Sequence, residues 1–288
     1  DLQTDTFVTL TYPDAAATPE IVQKHFDALA SYVDVSKEAG IEATHRGSWN
    51  MFAKDFKGGY LGIGQAWGDY DNDGYLDLYV TGNLSPSVLY HNQGDGTFVV
   101  SQFSESVALP TVRTGGATWA DYDNDGWKDL YVVAYGRNVL FQNQGANGFH
   151  NVTDLAGVGD AGRGSSATWG DYDKDGWLDL YVVNWSCWPE CNPVDNNKAR
   201  DTLYHNNGDG TFSDVSNLFV QEKLLGAGFT ASFIDYDNDG DLDLYVVNDE
   251  LKNPIGNVLW RNDGTGCGGW CWKDVSSETE TNVRLAGM

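Results

Sequence analysis

Cationic side chains are scarce in this chain of 288 residues: 17 Lys and Arg stand against 42 Asp and Glu, a net charge of −25. A surface of that sign repels nucleic acid and anionic membranes, which excludes both as partners. Long apolar runs are missing too, and a helical membrane span needs about 18 such residues in a row. Neither Gly-x-Ser-x-Gly nor His-Glu-x-x-His occurs, nor does a phosphate-cradling P-loop, so the usual hydrolase and nucleotidase signatures are absent. Gly157-Val158-Gly159-Asp160-Ala161-Gly162 has the spacing of a dinucleotide fingerprint but lacks a βαβ setting, and reads as a turn between repeats. Cysteines number only four, in two close pairs, Cys187 with Cys191 and Cys267 with Cys271. Close pairs point to local disulfides and an oxidising compartment, with a four-cysteine zinc site as the rival reading. A start at Asp1 rather than Met is expected of a trimmed product whose leader has gone.

What is abundant argues for a folded chain. Aromatic residues are 13% of it, with 11 Trp, 15 Tyr and 12 Phe, far more than acid-rich disordered segments carry. Four segments align without gaps: Trp67–Val80, Trp119–Val132, Trp169–Val182 and Phe233–Val246. Their first aspartates, Asp69, Asp121, Asp171 and Asp235, lie 52, 50 and 64 residues apart. Each is followed by a second apolar run (Val88-Leu89-Tyr90 in the first unit), an Asn/Gly turn and a last short strand such as Thr97–Phe103 or Phe212–Val215. Four short strands per unit, repeated about every 50 residues, predict the blades of a β-propeller. The fold class is therefore all-β: a propeller, or propeller segment, of four-stranded antiparallel blades over 35–288.

The ends of the chain look like fragments of further units. Val33-Asp34-Val35-Ser36 matches Asn151-Val152-Thr153, which predicts an orphan last strand ahead of the first blade. Ala286-Gly287-Met288 matches Ala227-Gly228-Phe229, the lead-in to a first strand. Residues 1–34 read as an N-terminal extension with a helix over 18–33, where Thr18 caps, Pro19 opens the first turn and Val22, Phe26, Leu29 and Val33 share a face.

The aspartate loops carry the chemistry. Over 69–77, 121–129, 171–179 and 235–243 each reads Asp-Tyr-Asp-x-Asp-Gly-x-x-Asp. Calcium takes six to eight hard oxygens at about 2.3–2.6 Å. Side chains at places 1, 3 and 5 converge if the loop curls, and Gly at place 6 permits the curl. A backbone carbonyl at place 7 and the carboxylate at place 9 would complete the shell. The expected ligands are Asp69, Asp71, Asp73, Tyr75 and Asp77; Asp121, Asp123, Asp125, Trp127 and Asp129; Asp171, Asp173, Asp175, Trp177 and Asp179; and Asp235, Asp237, Asp239, Asp241 and Asp243. Mg²⁺ fits less well, since it demands a tight octahedron and keeps its waters. Four Ca²⁺ would bring the net charge from −25 to −17. Asp179 is the expected closing carboxylate of the third loop, and Lys174 is expected to face solvent.

These loops, with the Asn-x-Gly-Asp-Gly-Thr-Phe turns, resemble the FG-GAP/VCBS repeats of integrin α-subunit propellers and of cartilage acidic proteins, over roughly residues 33 to 288. The resemblance implies that the calcium loop joins strands A and B of each blade, opposite the loops that commonly meet ligands. It also implies propellers of about seven blades, against four complete units here.

Lesser candidates complete the reading. His91 and His205 share one repeat position, filled by Gln142 and Arg261 in the other units, which suggests a strand-surface place rather than catalysis. The insertion from Trp185 to Asp201 carries Trp185, Trp188 and the first cysteine pair, and is either self-packed or a contact surface. Asn83, Asn151 and Asn184 head glycosylation sequons. The function expected is a non-enzymatic, secreted or cell-surface calcium scaffold for adhesion or assembly, homo-oligomeric, head-to-tail, or bound to an extracellular protein or glycan. A lectin-like glycan-binding module and the propeller of a polysaccharide-degrading enzyme are the alternatives.

Overall fold

The structure, a computed structural model, describes residues 33–43, 64–185, 200–249, 255–267 and 269–283. Apart from Val33, the expected helix over 18–33 lies outside them, as do Ala286-Gly287-Met288 and most of the Trp185–Asp201 insertion. No described helix is long and apolar enough to cross a membrane.

Among the described residues, sixteen strands form four antiparallel sheets, each a meander of neighbours in chain order. Blade 1 holds β1 (Gln65–Gly68), β2 (Asp77–Val80), β3 (Val88–Asn92) and β4 (Phe98–Val100). Blade 2 holds β5 (Arg113–Ala120), β6 (Asp129–Tyr135), β7 (Val139–Asn143) and β8 (Phe149–Asn151). Blade 3 holds β9 (Gly164–Gly170), β10 (Asp179–Asn184), β11 (Thr202–Asn206) and β12 (Phe212–Asp214). Blade 4 holds β13 (Gly228–Ile234), β14 (Asp243–Asn248), β15 (Val258–Thr265) and β16 (Trp270–Asp274). Register repeats from blade to blade: Trp67 pairs with Leu78, Trp119 with Leu130, Trp169 with Leu180 and Phe233 with Leu244.

The blades stack face to face, with β1 against β5, β5 against β9 and β9 against β13. The core therefore lies between blades. The second strand of a blade is buried on both faces, so its run is apolar throughout instead of alternating. In β6, Leu130 and Val132 pack with Tyr79 and Leu89 of blade 1, while Tyr131 and Val133 pack with Leu180 and Val182 of blade 3. Tyr181, Val183 and Leu203 of blade 3 close on Leu244, Val246 and Trp260 of blade 4 in the same way.

Strand ends are set by one repeated turn. Asn151 Oδ1 accepts from Thr153 N and Oγ1, Asp214 Oδ1 from Ser216 N and Oγ, and Asp274 Oδ1 from Ser276 N and Oγ. Short side chains of this kind satisfy the backbone locally and stop the ladder. The hydroxyl then accepts from the third strand, as when Leu140 N donates to Thr153 Oγ1. Asp34 Oδ1 accepts from Ser36 N and Oγ in the same fashion. The match of Val33–Ser36 to Asn151–Thr153 thus marks this turn and not a strand: residues 33–35 have no regular structure and a turn covers 36–40. The segment lies along blade 1, where Phe98 N donates to Ala39 O and Glu42 N to Tyr90 Oη. Gly40 is required there, because its φ is +76° and a Cβ would come within 2.6 Å of Phe98 O.

Candidate metal centres in the blade loops

The aspartate loop joins the first and second strands of each blade, and its own side chains curl it. At place 1, Asp69 accepts from Asp73 N at 3.1 Å and Gly74 N at 2.9 Å, and Asp121 and Asp171 repeat the arrangement. At place 5, Asp73, Asp125, Asp175 and Asp239 each accept from the N–H two residues on. The sharp turn at Gly74, Gly126, Gly176 and Gly240 has φ of +90° or +91°, as expected of place 6. Place 4 is left-handed as well, at Asn72, Asn124, Lys174 and Asn238. Asn takes that conformation readily, whereas Lys174 takes it at a cost.

The carboxylate at place 9 is the most deeply set. Asp77, Asp129, Asp179 and Asp243 are fully buried. One oxygen of each accepts from the Tyr N–H at place 2, at 3.1–3.2 Å. The other accepts at 2.8 Å from the N–H of Asn92, Asn143, Asn206 or Asn262, at or near the end of the third strand. This residue staples the loop to the blade besides facing the donor cluster.

Sets of donor atoms lie within 4.8 Å of one another: Asp69, Asp71 and Asp73; Asp121, Asp123 and Asp129; Asp171, Asp173 and Asp175; Asp71, Asp77 and His91; Asp173, Asp179 and His205. The residues fit a metal ion. Asp71 Oδ1, Asp123 Oδ1 and Asp235 Oδ1 are buried without a hydrogen-bond partner, a cost that a cation would relieve. Burial, followed by the charge of neighbouring carboxylates, raises Asp71 and Asp173 above the ordinary carboxylate range, and burial is also the main cause at Asp125. Burial pushes Asp77 up to about 6, and Asp129 and Asp179 up to about 8, against the hydrogen bonds from their backbone partners. A divalent cation inverts that logic and holds all of them ionised.

Consecutive loops are joined, a feature that pattern matching within one loop could not reveal. Asn72 Nδ2 donates to Gly126 O and Asn124 Nδ2 to Gly176 O, both at 3.0 Å. Lys174 Nζ pairs with Asp241 Oδ1 of the next loop, so this exposed lysine reaches across the blade junction instead of facing solvent alone. A second set of bonds runs from each later blade to the place-2 carbonyl before it: Asn143 Nδ2 to Tyr70 O, Asn206 Nδ2 to Tyr122 O and Asn262 Nδ2 to Tyr172 O. Tyr70 stacks on Trp119 and Tyr122 on Trp169 across the same junctions. The residue at place 7 also has a packing task. Rings of Tyr75, Trp127 and Trp177 cover Gly94, Gly145 and Gly208, where an added Cβ would meet them at 2.6–2.9 Å.

The other sequence candidates divide plainly. Cys267 and Cys271 form a disulfide, whereas Cys187 and Cys191 lie outside the described residues. Asn83 is buried, and Asn184 is fully buried with its amide donating to Arg200 O; Asn151 alone of the three sequon asparagines is exposed. Residues 157–163 connect a helical turn (Thr153–Ala156) to β9, an inter-blade link and not a dinucleotide loop. His91 and His205 stand directly against the donor clusters, a closeness that their shared repeat position did not disclose.

Four stacked four-stranded meanders, each with a cation-fitting loop between its first two strands, define a propeller-type repeat protein. A family model described as an FG-GAP-like repeat matches residues 69–132, 121–182 and 194–246, more than half of the chain. The chain belongs to the FG-GAP-like repeat family. It is 33% identical over 81 residues to cartilage acidic protein 1 of Mus musculus, a match covering 28% of this chain and 12% of that protein. Among solved structures it resembles an Agrocybe aegerita lectin described for specific recognition of non-reducing terminal N-acetylglucosamine, with a TM-score of 0.42 and 18% identity. That match covers 73% of this chain and 50% of the lectin.

Proposed function

We propose that this chain is a non-enzymatic extracellular scaffold whose blades are stiffened by one Ca²⁺ in each aspartate loop. Residues 35–288 make up the propeller-type repeats, and 1–34 are an extension to them. The observation that carries the reading is the joining of the loops: place 4 of the first three reaches into the next, so ordering one loop orders its neighbour. The buried, unpartnered carboxylate oxygens of three loops support a hard cation as the ordering agent. The carboxylates at places 1, 3, 5 and 9 would hold it, with the carbonyls of Tyr75, Trp127, Trp177 and Asp241 as further oxygens. The Cys267–Cys271 disulfide supports an oxidising compartment. At a Kd of about 10 μM and millimolar calcium, each loop would add about 2.7 kcal/mol.

A role in adhesion or assembly draws support from the two end blades. Trp67 occupies in blade 1 the position by which Trp119 and Trp169 stack on the blade before, and it is 47% exposed. Ile234 beside the last loop is likewise exposed. A further blade, from a second copy or from additional chain, would cover such surfaces. Thermal melting tests the scaffold reading. Excess EDTA should lower the melting temperature by many degrees, in step with calcium lost by metal analysis. An unchanged melt after verified calcium removal would refute it.

A further inference from the structure

The four loops are alike in their aspartates but not in what the third strand places beside them. In blade 1, His91 Nδ1 lies 3.1 Å from Asp71 Oδ2 and 3.3 Å from Asp77 Oδ1. In blade 3, His205 Nδ1 lies 3.3 Å from Asp173 Oδ2 and shares a hydrogen bond with Asp179 Oδ1 at 3.2 Å. The nitrogen thus sits between the carboxylates of places 3 and 9 in both. His91 Nδ1 is buried and has no hydrogen-bond partner, as is also true of Asp71 Oδ1 beside it. Each ring is fixed edge-on against the loop tyrosine, with centroids 6.4 Å apart for Tyr70–His91 and 6.2 Å for Tyr172–His205. Blade 2 carries Gln142 here, whose Nε2 donates to Asp123 Oδ2 at 2.6 Å. Blade 4 carries Arg261, turned to Asp263.

Resting on the reading of the loops as cation sites, we propose that blades 1 and 3 are mixed nitrogen–oxygen centres that take a late first-row divalent cation such as Zn²⁺ through His91 and His205, while blades 2 and 4 take only hard cations. Imidazole is a preferred donor for zinc and its neighbours, whereas Ca²⁺ takes oxygen. The spacing agrees. Donors about 2.1 Å from one ion lie about 3.0 Å apart at a right angle and about 3.4 Å apart at the tetrahedral angle. The nitrogen-to-carboxylate distances of both blades fall inside that window. Two carboxylates and one imidazole, with water completing the shell, make an ordinary open zinc donor set. Neither other blade offers a nitrogen donor at this position: Arg261 of blade 4 is paired with Asp263, and the Gln142 amide of blade 2 donates its NH₂ to Asp123, which leaves those two loops with oxygen ligands alone.

Equilibrium dialysis of the full chain, stripped of metal and equilibrated with micromolar Zn²⁺ in millimolar Ca²⁺, tests this. His91→Gln and His205→Gln copy the residue that blade 2 already accommodates, so both variants should fold. Each should lose one zinc per chain relative to the parent, and the double variant two, with affinity at each altered loop down at least tenfold. Gln142→His should gain one. Visible absorption of Co²⁺ bound to the parent should fall in the same order. A double variant that keeps the parent's zinc would overturn the proposal. So would one that loses calcium together with zinc, because the histidines would then merely order the loops. Zinc lost on substitution from a chain that binds no calcium would uphold these two centres and overturn the calcium scaffold instead.

Discussion

Asp179→Ala, set against Lys174→Ala in the same loop, separates a built cation site from an acidic turn. Asp179 is fully buried, and its removal strands the backbone N–H of Asn206 and of Tyr172. Each buried donor left unmade costs about 1–3 kcal/mol, so about 2–6 kcal/mol is lost whether or not an ion is bound. In millimolar calcium the third loop would also forfeit its cation, about 2.7 kcal/mol more. Lys174 is 56% exposed and its partner Asp241 is 28% exposed. Such a surface pair is worth about 0–1 kcal/mol. Across a chain of this size, 1 kcal/mol moves the melting temperature by about 2–4 °C. Scanning calorimetry of both variants, in calcium and in EDTA, reads the two contributions apart. Asp179→Ala should melt well below Lys174→Ala in both buffers, with the larger gap in calcium. Equal, small losses in both buffers would refute the reasoning, and an equal gap in both would remove the cation from it.

Two further outcomes follow from the same geometry. In EDTA the protein should grow more stable as pH falls from about 8 toward 6. Asp77, Asp129 and Asp179 have folded pKa values raised to about 6, 8 and 8, so over that range the native state binds more protons than the unfolded one, and stability declines as pH rises. In calcium the trend should reverse, because protons compete for the ligands; melting curves at pH 8 and pH 6 in both buffers check it, and parallel trends would contradict it. Gly208→Ala should cost more than Gly210→Ala, by about 1 kcal/mol or more in chemical denaturation. Both sites have positive φ, but a Cβ at Gly208 meets the Trp177 ring at 2.9 Å and one at Gly210 meets nothing within 4 Å; equal costs would deny the ring its packing role.

The four repeats, their strand order and the aspartate loops are all legible in the sequence, because each depends on spacing within one repeat. Asp, Gly and Trp recur in register, and their chemistry decides local geometry without help from distant residues. The double burial of the second strands is legible too, since Asp-Leu-Tyr-Val-Val leaves no polar face. What the sequence hides is contact between repeats. Asn72 and Asn124 look like spare loop residues until the next blade brings Gly126 and Gly176 within reach. Lys174 looks solvated until Asp241 is set beside it. His91 and His205 read as surface positions because nothing in a linear repeat says that the third strand ends against the loop between the first two. Val33–Ser36 misled for the opposite reason: the match was real, but the Asp34/Ser36 turn, not a strand, is what repeats.

Native mass spectrometry of the chain, exchanged into millimolar calcium and then into EDTA, tests the central claim most directly. The account predicts up to four divalent ions per chain in calcium, lost together or in adjacent pairs because the loops are joined, and none after EDTA. A chain that carries no specific calcium at millimolar concentration, and has the same charge-state distribution in both buffers, would contradict it.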